Sequence, residues 1–308
     1  MANTITLATK MTDALDKAVV QKSVTGIFTD NSLGAKFVGA KTVSIPDMAM
    51  EGLADYDRAG GFVGGDLSVT RSTYTLTMDR GRSFSVDAQD NDESGVANLA
   101  GQVMGEFVRT QVVPEMDAYV LSKLAALAST KSHTVSVGAD STLAADAFNM
   151  FQTALMEVQA ATGYSDDELV AFINPTFWAA LNASSVFTRQ IVVGDFKKGE
   201  IDTHVKKLDG CALIPTDGGR MKSAYDFKDG TTEGQTTGGF TPTTGAKNVG
   251  FIIMPKKAAS LVKKTEKIRV FDPSKNLNAD AWKLDYRIYY DLFVMKSRED
   301  QIYAYIEA

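Results

Sequence analysis

Two histidines, one cysteine and a few clustered carboxylates are the residues of this 308-residue chain whose types suggest chemistry. His133 and His204 stand in polar surroundings, with no second histidine at helical spacing and no cysteine beside them. A zinc site needs about four such ligands, so both read as exposed histidines. Asp87, Asp90, Asp92 and Glu93 are close enough to suggest a cation, but they lack the spacing and the final glutamate of a calcium loop. Carboxylates capping the free amides of a helix start explain them more simply. Gly60-Gly61-Phe62-Val63-Gly64-Gly65 has the glycine content of a phosphate cradle without the Lys-Ser/Thr that should follow or the buried strand that should precede. It reads as a flexible tip or bend. Gly163-Tyr164-Ser165 is not a nucleophile elbow, and Cys211, followed by Ala212, Leu213 and Ile214, belongs to a core strand. Lys256, Lys257, Lys263, Lys264 and Lys267 form the one basic concentration; without interleaved aromatics they read as a solvated face. No catalytic residue, metal or cofactor is expected.

The elements around these residues are more informative. Residues 1–34 read as an arm, with a short helix near Asp13–Val19 and then polar turn residues from Gly26 to Gly34. Such a segment has too little apolar surface to fold alone, so it lies on something else or stays mobile. Phe37-Val38 and Thr42–Ile45 read as strand ended by Pro46, with the glycine run as the tip. The return limb alternates, Tyr74, Leu76 and Met78 on one face and Thr73, Thr75 and Thr77 on the other; after Asp79-Arg80-Gly81-Arg82 another short strand runs through Phe84 and Val86. Each limb of about 20 residues reaches about 65 Å when extended, and a lone two-stranded hairpin is marginal in water. Its apolar residues therefore need cover from outside, and another subunit is the expected source.

Val96, Leu99, Val103 and Phe107, then Met116, Val120, Leu124 and Leu127, recur at helical spacing on either side of Pro114. This predicts a spine of about 30 residues, about 45 Å long, kinked or split at the proline. Residues 142–253 read as an α/β lobe. Thr142 caps a helix through Phe148, Phe151, Leu155 and Val158 that stops at Gly163, and Leu169–Ile173 is a buried strand. Asn174-Pro175 opens a second helix with Phe177, Trp178 and Leu181 facing inward; Cys211–Ile214 and Val249–Met254 are further strands. Asp229–Gly245, mostly Gly, Thr and polar residues, reads as a poorly ordered surface loop. Leu284, Tyr286, Ile288, Tyr290, Leu292 and Val294 alternate strictly, and after a turn at Lys296–Asp300 so do Ile302, Ala304 and Ile306, which predicts a β-hairpin along the spine.

Composition sets outer limits. A hydrophobic fraction of 44% and a charged fraction of 23% are those of a folded globular protein. No apolar run is long enough for a membrane span, and no secretory signal stands at the start. A single cysteine rules out an intrachain disulfide and fits synthesis in a reducing cytoplasm. A net charge of −6, with both signs mixed along the chain, argues against a dedicated nucleic-acid grip.

An arm, an extended hairpin with a glycine tip, a long kinked helix, an α/β lobe and returning strands, in that order, resemble the HK97-like major capsid proteins of tailed bacteriophages. The likeness covers essentially the whole chain. It is carried by Arg82–Asp87 leading into the spine, Val113-Pro114-Glu115-Met116-Asp117-Ala118-Tyr119 within it, Asn174–Trp178, Leu208–Pro215, and the block from Ala279 to Ile306. The resemblance implies an α+β fold with an N-arm at 1–34, an extended β-hairpin (E-loop) at 35–86, a P-domain with its spine helix at 87–135 and 255–308, and an A-domain at 136–254. It implies a non-enzymatic subunit that assembles into hexamers and pentamers of an icosahedral shell, with Phe37, Val43, Ile45, Phe62, Tyr74, Leu76 and Met78 at the subunit interface. It further implies portal, scaffold or decoration partners, a virion location after assembly in the host cytoplasm, and enclosed double-stranded DNA without sequence-specific binding. No long helical segment precedes the arm, so a separate scaffold protein or a processed chain is expected. Lys36 and Lys41 lie in the hairpin limb, but no matching Asn and Glu marks a covalent crosslink. The rivals are an encapsulin-type nanocompartment of the same fold, a monomeric hydrolase using Asp90 and Asp92, and a tail-tube or decoration protein.

Overall fold

The computed structural model describes residues 23–29, 36–38, 41–87, 99–137, 142–163, 168–183, 192–198, 201–276 and 279–307. The helix expected near Asp13–Val19 and the cap expected at Asp90–Ser94 lie outside these residues. The first described segment, a 3₁₀ turn over Val24–Phe28, buries Ile27 and Phe28, and Phe28 meets Phe172 at a ring-centroid distance of 5.8 Å. This part of the arm lies on the body of the molecule.

Strands β1 (Lys36–Phe37), β2 (Thr42–Met50) and β3 (Leu67–Thr75) form a small antiparallel sheet, in which β2 and β3 are the hairpin limbs. Pro46 does not end β2. β1 pairs only as far as Ser44, so from Pro46 onward β2 has one open edge, where a missing amide hydrogen removes no ladder bond. After two residues the chain enters β4 (Met78–Asp87), which changes sheets: Asp79–Arg82 are already strand, paired opposite Arg287–Tyr289 and Tyr286 of a later strand, so the short strand expected after them begins earlier.

The spine runs through α1 (Leu99–Phe107), a π-helical stretch at Val108–Val112 and α2 (Val113–Thr130). The irregularity falls just before Pro114, which sits in the first turn of α2 where its missing amide hydrogen matters least. The amide of Val113 reaches the carbonyl of Val108, five residues back, and this wider turn accommodates the proline ring. Met116, Val120 and Leu124 are buried, as the spacing predicts, while Leu127 is half-buried and Leu121 is buried besides.

The α/β lobe follows. β5 (Thr134–Val135) precedes α3 (Leu143–Ala161), whose Phe151, Leu155 and Val158 are buried; Thr142 stands at the cap position, with its carbonyl taking the amides of Ala145 and Asp146. Next come β6 (Leu169–Ile173), α4 (Pro175–Ala183), β7 (Val192–Lys198), β8 (Ile201–Leu208), β9 (Cys211–Pro215), β10 (Tyr225–Phe227), β11 (Phe240–Pro242) and β12 (Val249–Pro255). The Asn174 carboxamide oxygen accepts the Thr176 amide at 2.9 Å, the expected cap of α4. The chain closes with β13 (Ala259–Phe271), β14 (Ala281–Val294) and β15 (Tyr303–Ile306).

A seven-stranded sheet in the order β5-β15-β12-β6-β9-β8-β7 and a three-stranded sheet β13-β14-β4 organise the molecule. β14 and β15 are therefore not a hairpin: the Lys296–Gln301 turn carries the chain from one sheet to the other. The larger sheet takes β5 and β15 from one side of the expected domain boundary and β6–β9 and β12 from the other. Its two faces bury separate cores. One packs α3 and α4 through Phe151, Phe177, Leu181 and Phe251. The other packs the spine, which also contacts the even-numbered face of β14 (Leu284, Tyr286, Ile288, Tyr290, Leu292). The spine thus lies between the two sheets, and the opposite face of the smaller sheet is left for other uses. Among the described residues no helix is long and apolar enough to cross a membrane.

Candidate assembly interface

The hairpin divides into a covered root and a bare tip. Val43, Ile45 and Leu76 are buried against Val262, Tyr289 and Phe293 on the outer face of the three-stranded sheet. Half-buried Tyr74 joins them with its ring 5.3 Å from that of Phe293. The apolar area of Val43, Ile45 and Leu76 is already used within the chain, whereas Tyr74 keeps part of its surface open. Met78 does not share their face: it packs on the spine side, because the chain changes sheets between Leu76 and Met78. Of the seven candidate interface residues, Phe37 and Phe62 remain open, at 46% and 91% exposure. Lys264 Nζ lies 5.2 Å from the Phe37 ring centre, a cation–π contact.

Beyond the root, Met50, Leu53, Tyr56, Phe62, Val63, Leu67 and Val69 all face solvent, Leu53 at 107% exposure. Single exposed apolar residues are ordinary; a run of seven on one projection marks an interaction surface. The tip is nonetheless built. Asp57 and Gly61 exchange backbone hydrogen bonds of 3.3 and 2.8 Å, and the Asp57 carboxylate accepts the amides of Ala59 (3.1 Å) and Gly60 (2.9 Å). Gly61 adopts φ +84°, a conformation open to glycine, and the Tyr56 and Phe62 rings lie 4.9 Å apart across the turn.

Two buried carboxylates lock the projection and the arm to the spine. Asp291 accepts the Thr77 amide (3.0 Å) and hydroxyl (2.9 Å) on one oxygen, and the Tyr119 hydroxyl (2.6 Å) and Lys123 ammonium (2.5 Å) on the other. Burial and then the hydrogen bond to Asp291 hold the Tyr119 phenol well above its ordinary pKa. Asp117, with no exposed surface, accepts the Ser23 hydroxyl (2.5 Å), the amides of Val24 (3.2 Å) and Thr25 (3.1 Å), the Thr25 hydroxyl (2.6 Å) and the Arg220 guanidinium (3.0 Å). Neither carboxylate faces a cleft where a substrate would sit. Both act as anchors.

A third connection ties the lobe to β4. Arg80 forms a two-point ion pair with Glu115 (2.6 and 3.1 Å) and donates to the carbonyls of Lys228 (2.7 Å) and Gly239 (3.2 Å). Of the Asp229–Gly245 segment expected to be a loose loop, Phe240–Pro242 is strand β11, paired with β10, and residues 229–239 are the hydrogen-bonded connection between the two strands. Within it the Asp229 carboxylate takes the Thr232 hydroxyl at 2.5 Å and the Thr231 and Thr232 amides at 2.8 and 2.9 Å, which lowers its pKa to about 2. A cavity of about 370 Å³ opens beneath this hairpin, with Phe84, Phe107, Tyr286 and the Arg80–Glu115 pair in its walls.

The residues singled out for chemistry disperse. Cys211 is buried, and desolvation pushes its thiol up, away from reactivity. His133 is not exposed as expected; it is half-buried and stacked on Tyr303 at 4.5 Å, 5° from parallel. The His204 side chain and Asp90, Asp92 and Glu93 lie outside the described residues. Asp87 ends β4, in a strand instead of at a helix cap. Asp117 and Asp291, the polar residues that matter most here, stood among apolar neighbours in the sequence, and that flanking was the one available sign of burial.

No family model matches the chain, and no curated protein matches it. Solved structures do. The capsid of cyanophage P-SCSP1u aligns with a TM-score of 0.59 at 12% identity, over 89% of this chain and 85% of that one. The mature capsid of bacteriophage PhiM1 aligns with a TM-score of 0.56 at 14% identity, over 91% and 84%. A virus-like particle from Pyrococcus furiosus aligns at 0.52 and 11% identity, over 98% and 99%. At such identities the likeness speaks for the fold: this chain has the HK97-like capsid fold.

Proposed function

We propose that this chain is the major capsid subunit of a tailed bacteriophage, many copies of which close into an icosahedral shell around the genome. The observation that carries this reading is the bare apolar tip on a hairpin whose root is locked by Asp291, within a fold shared with phage capsids. In hexamers and pentamers the α/β lobes would meet around the capsomer axes. The hairpin of each copy would lie across the three-stranded sheet of its neighbour, and the arm would reach a further copy. Such head-to-tail contacts build closed rings when the rotation between copies closes. Burying a side chain such as Leu53 or Phe62 contributes about 2 kcal/mol, repeated at every subunit. Portal, scaffold and decoration proteins are the expected partners, and DNA is enclosed without sequence-specific contacts, consistent with a net charge of −6. The role is structural, without catalysis, and its place is the virion after assembly in the host cytoplasm.

Electron microscopy of the purified protein tests this. Full-length protein should yield shells, and a variant lacking residues 55–68 should stay folded and soluble without forming them. Normal particles from the deletion variant would overturn the interface. Because the Pyrococcus furiosus neighbour is titled a virus-like particle, the contents of the shells are assayed as well. Nuclease-protected DNA supports the capsid; a packaged enzyme would instead make the chain an encapsulin-type compartment.

A further inference from the structure

The outer face of the β13-β14-β4 sheet is only half covered. The root of the chain's own hairpin takes the end bearing Val262, Tyr289 and Phe293. Farther along the same face, Lys267 stands opposite Arg287 and Arg269 opposite Asp285, so all four project together around a groove of about 300 Å³. Lys267, Arg269 and Arg287 are exposed. Arg287 is held by Asp79 through two bonds of 2.8 and 2.6 Å, while Asp285 accepts the Ser83 hydroxyl at 2.6 Å with Lys283 at 3.9 Å. Lys267 and Arg269 have no partner among the described residues. Like charges directly across a strand pair repel, so the Lys267–Arg287 placement weakens the isolated chain and favours an arriving anion.

The hairpin tip carries the opposite sign. Between residues 51 and 66 stand Glu51, Asp55, Asp57 and Asp66 against the single cation Arg58. Glu51 accepts the Asp66 amide and Asp57 holds the turn, but the carboxylates of Asp55 and Asp66 are exposed and have no partner among the described residues. Two unpaired anions on the projection therefore match two unpaired cations on the uncovered half of a sheet.

We propose that these are the two halves of one contact between copies, in which Asp55 and Asp66 of one hairpin tip pair with Lys267 and Arg269 of the next subunit. This rests on the reading of the chain as a shell subunit and adds what sets the register. The apolar tip residues supply the adhesion, whereas the charges decide where along the sheet the tip settles and speed its arrival. Such pairs are screened by salt, so assembly weakens between about 0.1 and 1 M ionic strength. A second copy fits this strip better than nucleic acid does. The groove is short and interrupted by Asp285 and Asp79, whereas a polyanion site shows a continuous basic excess.

The test uses the full chain with Lys267→Glu and Arg269→Glu together, with and without Asp55→Lys and Asp66→Lys. Reversal of the two cations should leave the melting temperature of the unassembled subunit nearly unchanged, because the repulsion it relieves between positions 267 and 287 offsets the attraction it removes between positions 269 and 285. It should raise the concentration at half-assembly about tenfold, and the added tip reversal should restore it to within about threefold of the parent. Unaltered assembly of the cation variant, or no rescue by the tip reversal, overturns the proposal. So do normal shells that fail to retain nuclease-protected DNA, which would assign the strip to nucleic acid. A parent chain that never assembles is a different failure, because it removes the shell reading itself.

Discussion

At Asp117 a carboxylate with no exposed surface gathers five donors, four from the arm segment Ser23–Thr25 and one from Arg220. A buried charge persists only when it is paired and its remaining lone pairs are filled, and here the arm does most of the filling. Asp117→Ala leaves the Ser23 and Thr25 hydroxyls and the Arg220 guanidinium without their acceptor, and should cost about 3 kcal/mol in chemical denaturation. Asp117→Asn keeps the shape and some hydrogen bonding, and should cost about half as much. Limited proteolysis should then cut ahead of Val24 in both variants before any other site opens. An Asp117→Ala protein that melts like the parent and resists cleavage there would show that the arm is held by Ile27 and Phe28 alone. The sequence marks Asp117 as a spine residue between Met116 and Ala118. It does not show a partner 94 positions away, which is why the arm reads there as a segment in search of support.

Elements were legible where one period dominates. The spine, α3, α4 and the long alternation of β14 all follow from the spacing of their apolar residues. Destinations were not. The alternation from Leu284 to Ile306 is real on both sides of the turn, yet β15 leaves β14 and inserts beside β12, because period-2 patterning specifies a face and not a partner. The same ambiguity hid the sheet change at Leu76–Met78. Gly250 shows what the inserted strand requires. It lies at the register shift between Val249 and Phe251, opposite β15, where an added methyl would overlap the Tyr305 ring and press on Phe177. Gly250→Ala forces that ring out of its place between two aromatic neighbours and should destabilise by about 3 kcal/mol in thermal or denaturant unfolding. Stability equal to the parent would mean that β12 and β15 can slide apart at little cost. At Gly210 nothing crowds an added methyl, and only its φ of +80° calls for glycine.

On the reading of the chain as a shell subunit, one hairpin has to belong both to its own subunit and to the shell. Tyr74, Leu76, Val43 and Ile45 were the residues whose apolar character suggested a need for a neighbour, and the chain itself meets that need through Tyr289 and Phe293. Phe62, set among glycines that read as a flexible tip and placed at the interface by the resemblance, is left bare together with the other apolar residues of the tip. Sequence pattern revealed the projection but not where its covered part ends, because that boundary depends on a strand about 200 positions away folding back beneath the root. The two regions should therefore fail differently when given a charge. Val43→Asp places a carboxylate in a closed apolar cluster, at a cost of several kcal/mol, and the subunit should misfold or precipitate before assembly is at issue. Phe62→Asp removes only an exposed ring contact with Tyr56 and should leave the subunit's melting within about 0.5 kcal/mol of the parent while abolishing shells in electron micrographs. If Phe62→Asp protein formed shells as readily as the parent, the tip would not be an adhesive surface. The excess apolar area on the projection would then need an occupant other than a second copy.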